Sequence, residues 1–113
     1  MKTIAISALL ATIALSAAPA FAADSAELAL AKKSNCMSCH AVDKKVIGPA
    51  LKDVAKKYAA DKGAEAKLFD RVKKGTAATG GEVWKLGMPM PANAAVKDED
   101  IKTLVKWILA GAK

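Results

Sequence analysis

The sequence predicts an all-α domain of four to five short helices, wrapped around one flat, apolar group rather than around a self-sufficient core. Three observations point there. Apolar residues recur at helical spacing in several short stretches, while strand-like alternation is scarce. A stretch rich in Gly and Pro, Gly75 to Val96, has no helical periodicity, and loops of this length inside a compact domain usually carry function. The domain is also small, so its own core is modest. The only available disulfide would join cysteines three positions apart, a loop too short to constrain the chain much.

The elements follow in order. Lys2 gives a positive start, Ile4 to Ala18 is apolar, and Ala20-Phe21-Ala22 is a small-x-small cleavage site. Residues 1–22 therefore read as a cleaved secretory signal peptide, and residues 23–113 as one domain. The apolar run falls short of the roughly 20 residues of a spanning helix, so no integral membrane segment is expected after processing. Ser25 to Lys33, rich in Ala, Leu and Lys, predicts a helix leading into the two cysteines. Gly48-Pro49 marks a turn. After it, Leu51, Val54, Ala55 and Tyr58 share one helical face. Leu68, Phe69 and Val72 predict a helix from about Ala64 to Lys74, ended by Gly75 as a C′ residue. Asp98 is a good N-cap for the last helix, with Glu99 and Asp100 favoured by the dipole. Ile101, Leu104, Val105 and Ile108 form its apolar face, and Gly111 ends it.

The formal net charge is +7, one unit of which leaves with Lys2. Lysine pairs at 32–33, 44–45, 56–57 and 73–74 supply much of the rest. Such a surface could steer the protein to an acidic partner or an anionic membrane, though any single lysine pair is explained by solubility alone. Nucleic-acid binding is not expected, because the basic residues are dispersed, aromatics are few and the chain is exported.

Cys36-Met37-Ser38-Cys39-His40 contains every cysteine and the single histidine of the chain. Cys-x-x-Cys-His is the attachment signature of a c-type haem. On one helical turn, positions i, i+3 and i+4 share a face. Two thiols can then join the haem vinyl groups while the His40 imidazole meets the iron. A thioredoxin-like site would need a βαβ unit, for which there is no pattern. Structural zinc needs more ligands than two Cys and one His. A simple disulfide leaves His40 unexplained.

With one histidine, the sixth iron ligand must come from elsewhere, and His/Met ligation is the pattern of cytochromes c. Met37 sits inside the attachment loop on the His40 side. Met88 and Met90 remain, in Met88-Pro89-Met90-Pro91. Prolines on both sides of Met90 stiffen the backbone that would present its sulfur. Spacing does not separate the two methionines.

From Ala23 to Lys113 the chain resembles the small bacterial class I cytochromes c of the c-551/c-552 (c8) type. The motifs carrying the resemblance are Cys36 to His40, Val46-Ile47-Gly48-Pro49-Ala50, Leu51-Lys52-Asp53-Val54-Ala55, Val83-Trp84, Met90-Pro91-Ala92-Asn93 and Lys106-Trp107. The resemblance implies a cytochrome c fold around one covalent haem c. Cys36 and Cys39 would form the thioethers, and His40 and Met90 would be the axial ligands, with Met88 at an apolar position. Asn93 would donate toward the Met90 sulfur, and a backbone carbonyl beside Pro49 would accept the imidazole N–H. Arg71 and Trp84 would hydrogen-bond a haem propionate. The chain departs from the family pattern between Gly75 and Met90. Thr76 to Glu82 is longer than usual, and Lys85-Leu86-Gly87 replaces a Gly-Pro link, which bears on Trp84 and on the choice between Met90 and Met88.

The expected function is that of a periplasmic electron carrier, monomeric and not an enzyme. It would exchange single electrons with an oxidase, a nitrite reductase or a dehydrogenase. By family analogy, partners would dock at the haem edge, where Met37, Val46 and Ile47 form an apolar patch ringed by lysines. The alternative is a haem enzyme or gas-binding module with a displaceable sixth ligand. It would need distal polar groups, and the chain has no second histidine for that role.

Overall fold

The computed structural model describes residues 24–113. The expected signal peptide, residues 1–22, and the expected first residue Ala23 lie outside the described residues. The described chain contains four α-helices, a short 3₁₀ turn and no strand: α1 (Ala26–Lys33), the turn (Cys36–Ser38), α2 (Leu51–Lys57), α3 (Ala64–Lys74) and α4 (Asp98–Leu109). No helix among the described residues is long and apolar enough to cross a membrane.

The helix α4 is the beam on which the others rest, packing against α1, α2 and α3. Its residues divide the core in two. Leu104 and Trp107 join Ala31 of α1, Leu51 of α2 and Ala112. Ile101 and Val105 join Val54 of α2 and Leu68 of α3. Ile101 and Val105 are fully buried, each contributing about 1.5–3 kcal/mol relative to exposure. Ile108, expected on the same face, is only half-buried, because it lines the central cavity. Trp107 lies off the expected stripe and is nevertheless buried, its indole N–H donating to the Lys113 carbonyl at 2.9 Å.

Local chemistry sets the helix ends. Ser25 caps α1, its Oγ accepting the Leu28 N–H at 3.1 Å. Asn35 then adopts a left-handed conformation (φ 67°), a turn its short polar side chain tolerates, and the chain swings into the cysteine motif. The start of α4 differs by one residue from expectation. Lys97 takes the cap position and Asp98 is the first helical residue. The Asp98 carboxylate pairs with Lys73 Nζ at 2.8 Å and so does not fold back on the helix. Gly111 (φ 107°) closes α4 in a Schellman arrangement, with the Gly111 N–H donating to Ile108 and the Ala112 N–H to Trp107.

Candidate functional site

A cavity of about 450 Å³ runs through the domain, with walls drawn from every helix, the 3₁₀ turn and both long loops. Its lining is overwhelmingly apolar. Cys36, Cys39, His40 and Pro49 contribute to it, as do Arg71, Trp84, Met88 and Met90. The fold thus brings eight of the nine expected site residues to one space. The ninth, Asn93, stands behind it.

One end is built by Cys36 to Pro49. The turn closes locally, with the Cys39 N–H donating to the Cys36 carbonyl at 3.2 Å and the His40 N–H to the same oxygen at 3.0 Å. The motif is therefore a single tight turn, and it still brings both cysteines and the imidazole to the cavity. The two cysteines form no disulfide with each other. Burial pushes the Cys36 thiol above its ordinary value, against a smaller lowering from a backbone hydrogen bond. Reactive redox thiols need the opposite shift. His40 Nδ1 lies 2.8 Å from the Pro49 carbonyl. That contact places the ring proton on Nδ1 and leaves the Nε2 lone pair free to ligate. Gly48 lies flat beneath the ring. A Cβ there would come within 2.5 Å of His40 Cε1, so only glycine permits this approach. The sequence marked Gly48 merely as part of a turn.

The other end is built by the loop after α3. Gly75 (φ 81°) ends the helix, and a Cβ on it would come within 2.8 Å of the Ala92 nitrogen and 2.9 Å of the Met90 oxygen. The segment from Met90 to Ala92 lies directly against this glycine. Thr76 binds Met90 twice. Its N–H donates to the Met90 carbonyl at 3.0 Å, and its Oγ1 accepts the Met90 N–H at 3.1 Å. Asn93 pins the exit of the segment. Its main-chain N–H donates to the Val72 carbonyl at 3.0 Å, and its side-chain amide donates to the Val72 and Pro91 carbonyls at 3.1 and 3.3 Å, not to the Met90 sulfur as expected, because these two carbonyls take both amide protons. Met90 is half-buried and anchored, whereas Met88 is 59% exposed. Neither Gly75, beyond its helix-ending role, nor Thr76 carried a signal in the sequence.

Two further polar side chains of the cavity bond to the loop. Arg71 Nη1 donates to the Gly81 carbonyl at 2.9 Å. Glu82 accepts from the N–H groups of Leu86 and Gly87. Trp84 packs on the Val54–Leu68–Ile101–Val105 cluster, with the Lys57 ammonium 5.3 Å from its ring centroid. Among the described residues, no group of three or more His, Cys, Asp or Glu side chains can hold a bare metal ion. The donor set fits a large apolar group that brings its own metal: two thiols, one oriented imidazole, thioether sulfur and apolar walls.

At the mouth of the cavity, Val46 and Ile47 are 46% and 44% exposed. Met37, expected beside them, instead packs inward against the Ala31–Leu51–Leu104–Trp107 cluster.

Comparison with known proteins agrees with this architecture. The family model described as Cytochrome c matches residues 22–112. The chain is 46% identical over 110 residues to the cytochrome c-551 of Pseudomonas aeruginosa, covering 97% of this chain and 98% of that protein. It is 46% identical over 84 residues to the cytochrome c-552 of Nitrosomonas europaea, covering 74% and 77% of the two chains. The crystal structure of wild-type Nitrosomonas europaea cytochrome c552 superimposes with a TM-score of 0.68 at 46% identity, covering 74% of this chain and 98% of that one.

Proposed function

The chain belongs to the cytochrome c family, and on that premise we propose that it shuttles single electrons between respiratory partners in the periplasm through a haem ligated by His40 and Met90. As a member of the family it carries covalent haem c with its iron, and it is an electron carrier, not an enzyme. The observation that carries the finer reading is the convergence of Cys36, Cys39, a His40 ring oriented through Nδ1 and an anchored Met90 on one apolar cavity.

In this reading Cys36 and Cys39 would hold the group by thioether bonds, and His40 Nε2 and the Met90 sulfur would ligate its iron. Bound haem supplies one-electron iron chemistry, and a His/Met pair leaves no open position for a substrate. The Pro49 carbonyl keeps the imidazole in the ligating tautomer. Leu68, Leu104, Val105 and Ile108 keep the surroundings apolar, which disfavours the extra ferric charge and raises the potential. Arg71 and Trp84 would donate to a haem propionate, Arg71 exchanging or sharing its bond to the Gly81 carbonyl. Asn93 supports Met90 by locking the chain after it to α3.

A redox protein with an acidic rim fits the exposed Val46 and Ile47 and the neighbouring Lys44 and Lys45, by charge complementarity over a small apolar centre. An oxidase, a nitrite reductase or a periplasmic dehydrogenase satisfies that description, and the carrier acts as a monomer. The alternative of a haem enzyme or gas-binding module draws no support from the cavity. Its Arg71 and Glu82 already bond to the loop.

The test is to purify the exported protein and record its intact mass and its ferrous spectrum with and without carbon monoxide. The expected mass is that of Ala23–Lys113 plus one haem, with no carbon monoxide complex at neutral pH. An intact leader would overturn the export reading. Rapid carbon monoxide binding would overturn the saturated-iron reading.

A further inference from the structure

The N–H, the hydroxyl oxygen and the carbonyl of Thr76 are all committed to the loop that carries Met90. The Thr76 N–H and Oγ1 hold the Met90 main chain on both sides, at 3.0 and 3.1 Å. The Thr76 carbonyl accepts the N–H groups of Thr79 and Gly81, at 3.2 and 2.8 Å. The Gly81 carbonyl in turn accepts Arg71 Nη1 at 2.9 Å. Thr79 Oγ1 donates to the Gly75 carbonyl at 2.7 Å, closing the turn on itself. The extra length between Thr76 and Glu82 is therefore wound onto a single residue, which also lines the cavity.

We infer that Thr76 is a positioning residue for the methionine ligand: its hydroxyl sets how much of the time Met90 stays on the iron. The inference rests on the reading of Met90 as the axial ligand. The Met90 main chain sits against Gly75, where backbone rather than a flexible side chain blocks any retreat in that direction. Release of the sulfur therefore means outward movement of the Met88–Pro91 segment, and that movement breaks the bond from the Met90 N–H to Thr76 Oγ1. The bond exists only in the closed state and so biases the equilibrium toward it. An external ligand reaches the iron only in the open state, so its apparent affinity scales with the open population.

The experiment titrates the ferric holoprotein with imidazole, following the optical signature of methionine ligation, in wild type, Thr76→Val, Thr76→Ser, Ile101→Val and Met90→Ala. Thr76→Val keeps the shape of the side chain and removes the acceptor. It is expected to bind imidazole roughly three- to tenfold more tightly, the range that one net hydrogen bond spans. Thr76→Ser keeps the acceptor and is expected to stay within about twofold of wild type on the same bookkeeping. Ile101→Val loosens the core beneath Trp84 without touching the Thr76–Met90 bonds and is expected to leave the affinity unchanged. A wild-type affinity in Thr76→Val overturns the inference, and so does an equal gain in Ile101→Val. Met90→Ala separates the two claims. If it binds imidazole no more tightly than wild type, the ligand assignment itself falls.

Discussion

The two ends of the cavity are held in different ways. The His40 end is local: Cys36, Cys39, His40, Gly48 and Pro49 lie close in sequence, and the ring is fixed by a tight turn, a carbonyl and two attachment points. The Met90 end is assembled from a distance. Gly75 and Thr76 follow α3, Val72 lies within it, and Met90 to Asn93 return to them across a long loop. In the proposed holoprotein, only a Met90–iron bond would tie that loop to the haem. The comparison teaches that the His40 end should behave as a fixed wall and the Met90 end as the movable one. As denaturant rises, methionine ligation should fail before histidine ligation.

The largest expected effect comes from removing attachment altogether. Cys36→Ala with Cys39→Ala should abolish covalent haem, seen as its complete absence from the intact mass. The protein should lose cooperative unfolding, because the cavity that all the helices enclose loses its tethered occupant.

Gly75→Ala tests the movable end. It forces a side chain into a positive φ and against the main chain of residues 90–92, which should cost about 2–4 kcal/mol. Methionine ligation should fail at lower denaturant concentration than helix unfolding does. Gly48→Ala is the matching change at the fixed end and should cost about 1–3 kcal/mol through the clash with the His40 ring. The histidine, tethered through Cys39, should stay ligated, shown by a ferrous spectrum that remains six-coordinate. If Gly48→Ala released its ligand before Gly75→Ala did, the comparison would be inverted.

The smallest effect concerns the exit of the Met90 loop. Lys73 donates to the Ala94 and Val96 carbonyls and pairs with Asp98. The hydrogen bond from Lys73 holds the Asp98 carboxyl below its ordinary range. A depressed folded value gives stability that is complete above the ordinary value and is lost as pH falls through the folded one. Wild type should therefore be slightly more stable than Asp98→Asn near neutrality, and the two should converge in acid-unfolding curves below about pH 4. The group is exposed, so the difference should be small and salt-sensitive.

Much of this was legible in the sequence, unevenly. The helix over Ala64–Lys74 was placed to the residue, because an amphipathic stripe ran into a glycine. The gathering of Cys36, Cys39 and His40 on one cavity was legible because the three residues lie close together in sequence. The cap of α4 was misplaced by one residue, since capping propensity alone cannot see that Asp98 is engaged by Lys73 from another helix. Trp107 and Met37 were not expected in the core, as tertiary packing decides their burial. The roles of Gly48, Gly75 and Thr76 depend on what approaches them in space, which no local pattern records.

The central claim is that Met90 closes the iron site from the movable end. It is tested most directly by carbon monoxide binding to the ferrous forms of Met90→Ala and Met88→Ala. The account predicts rapid, complete binding by Met90→Ala and none by Met88→Ala, whose side chain is largely exposed. Binding by Met88→Ala with Met90→Ala inert would contradict it.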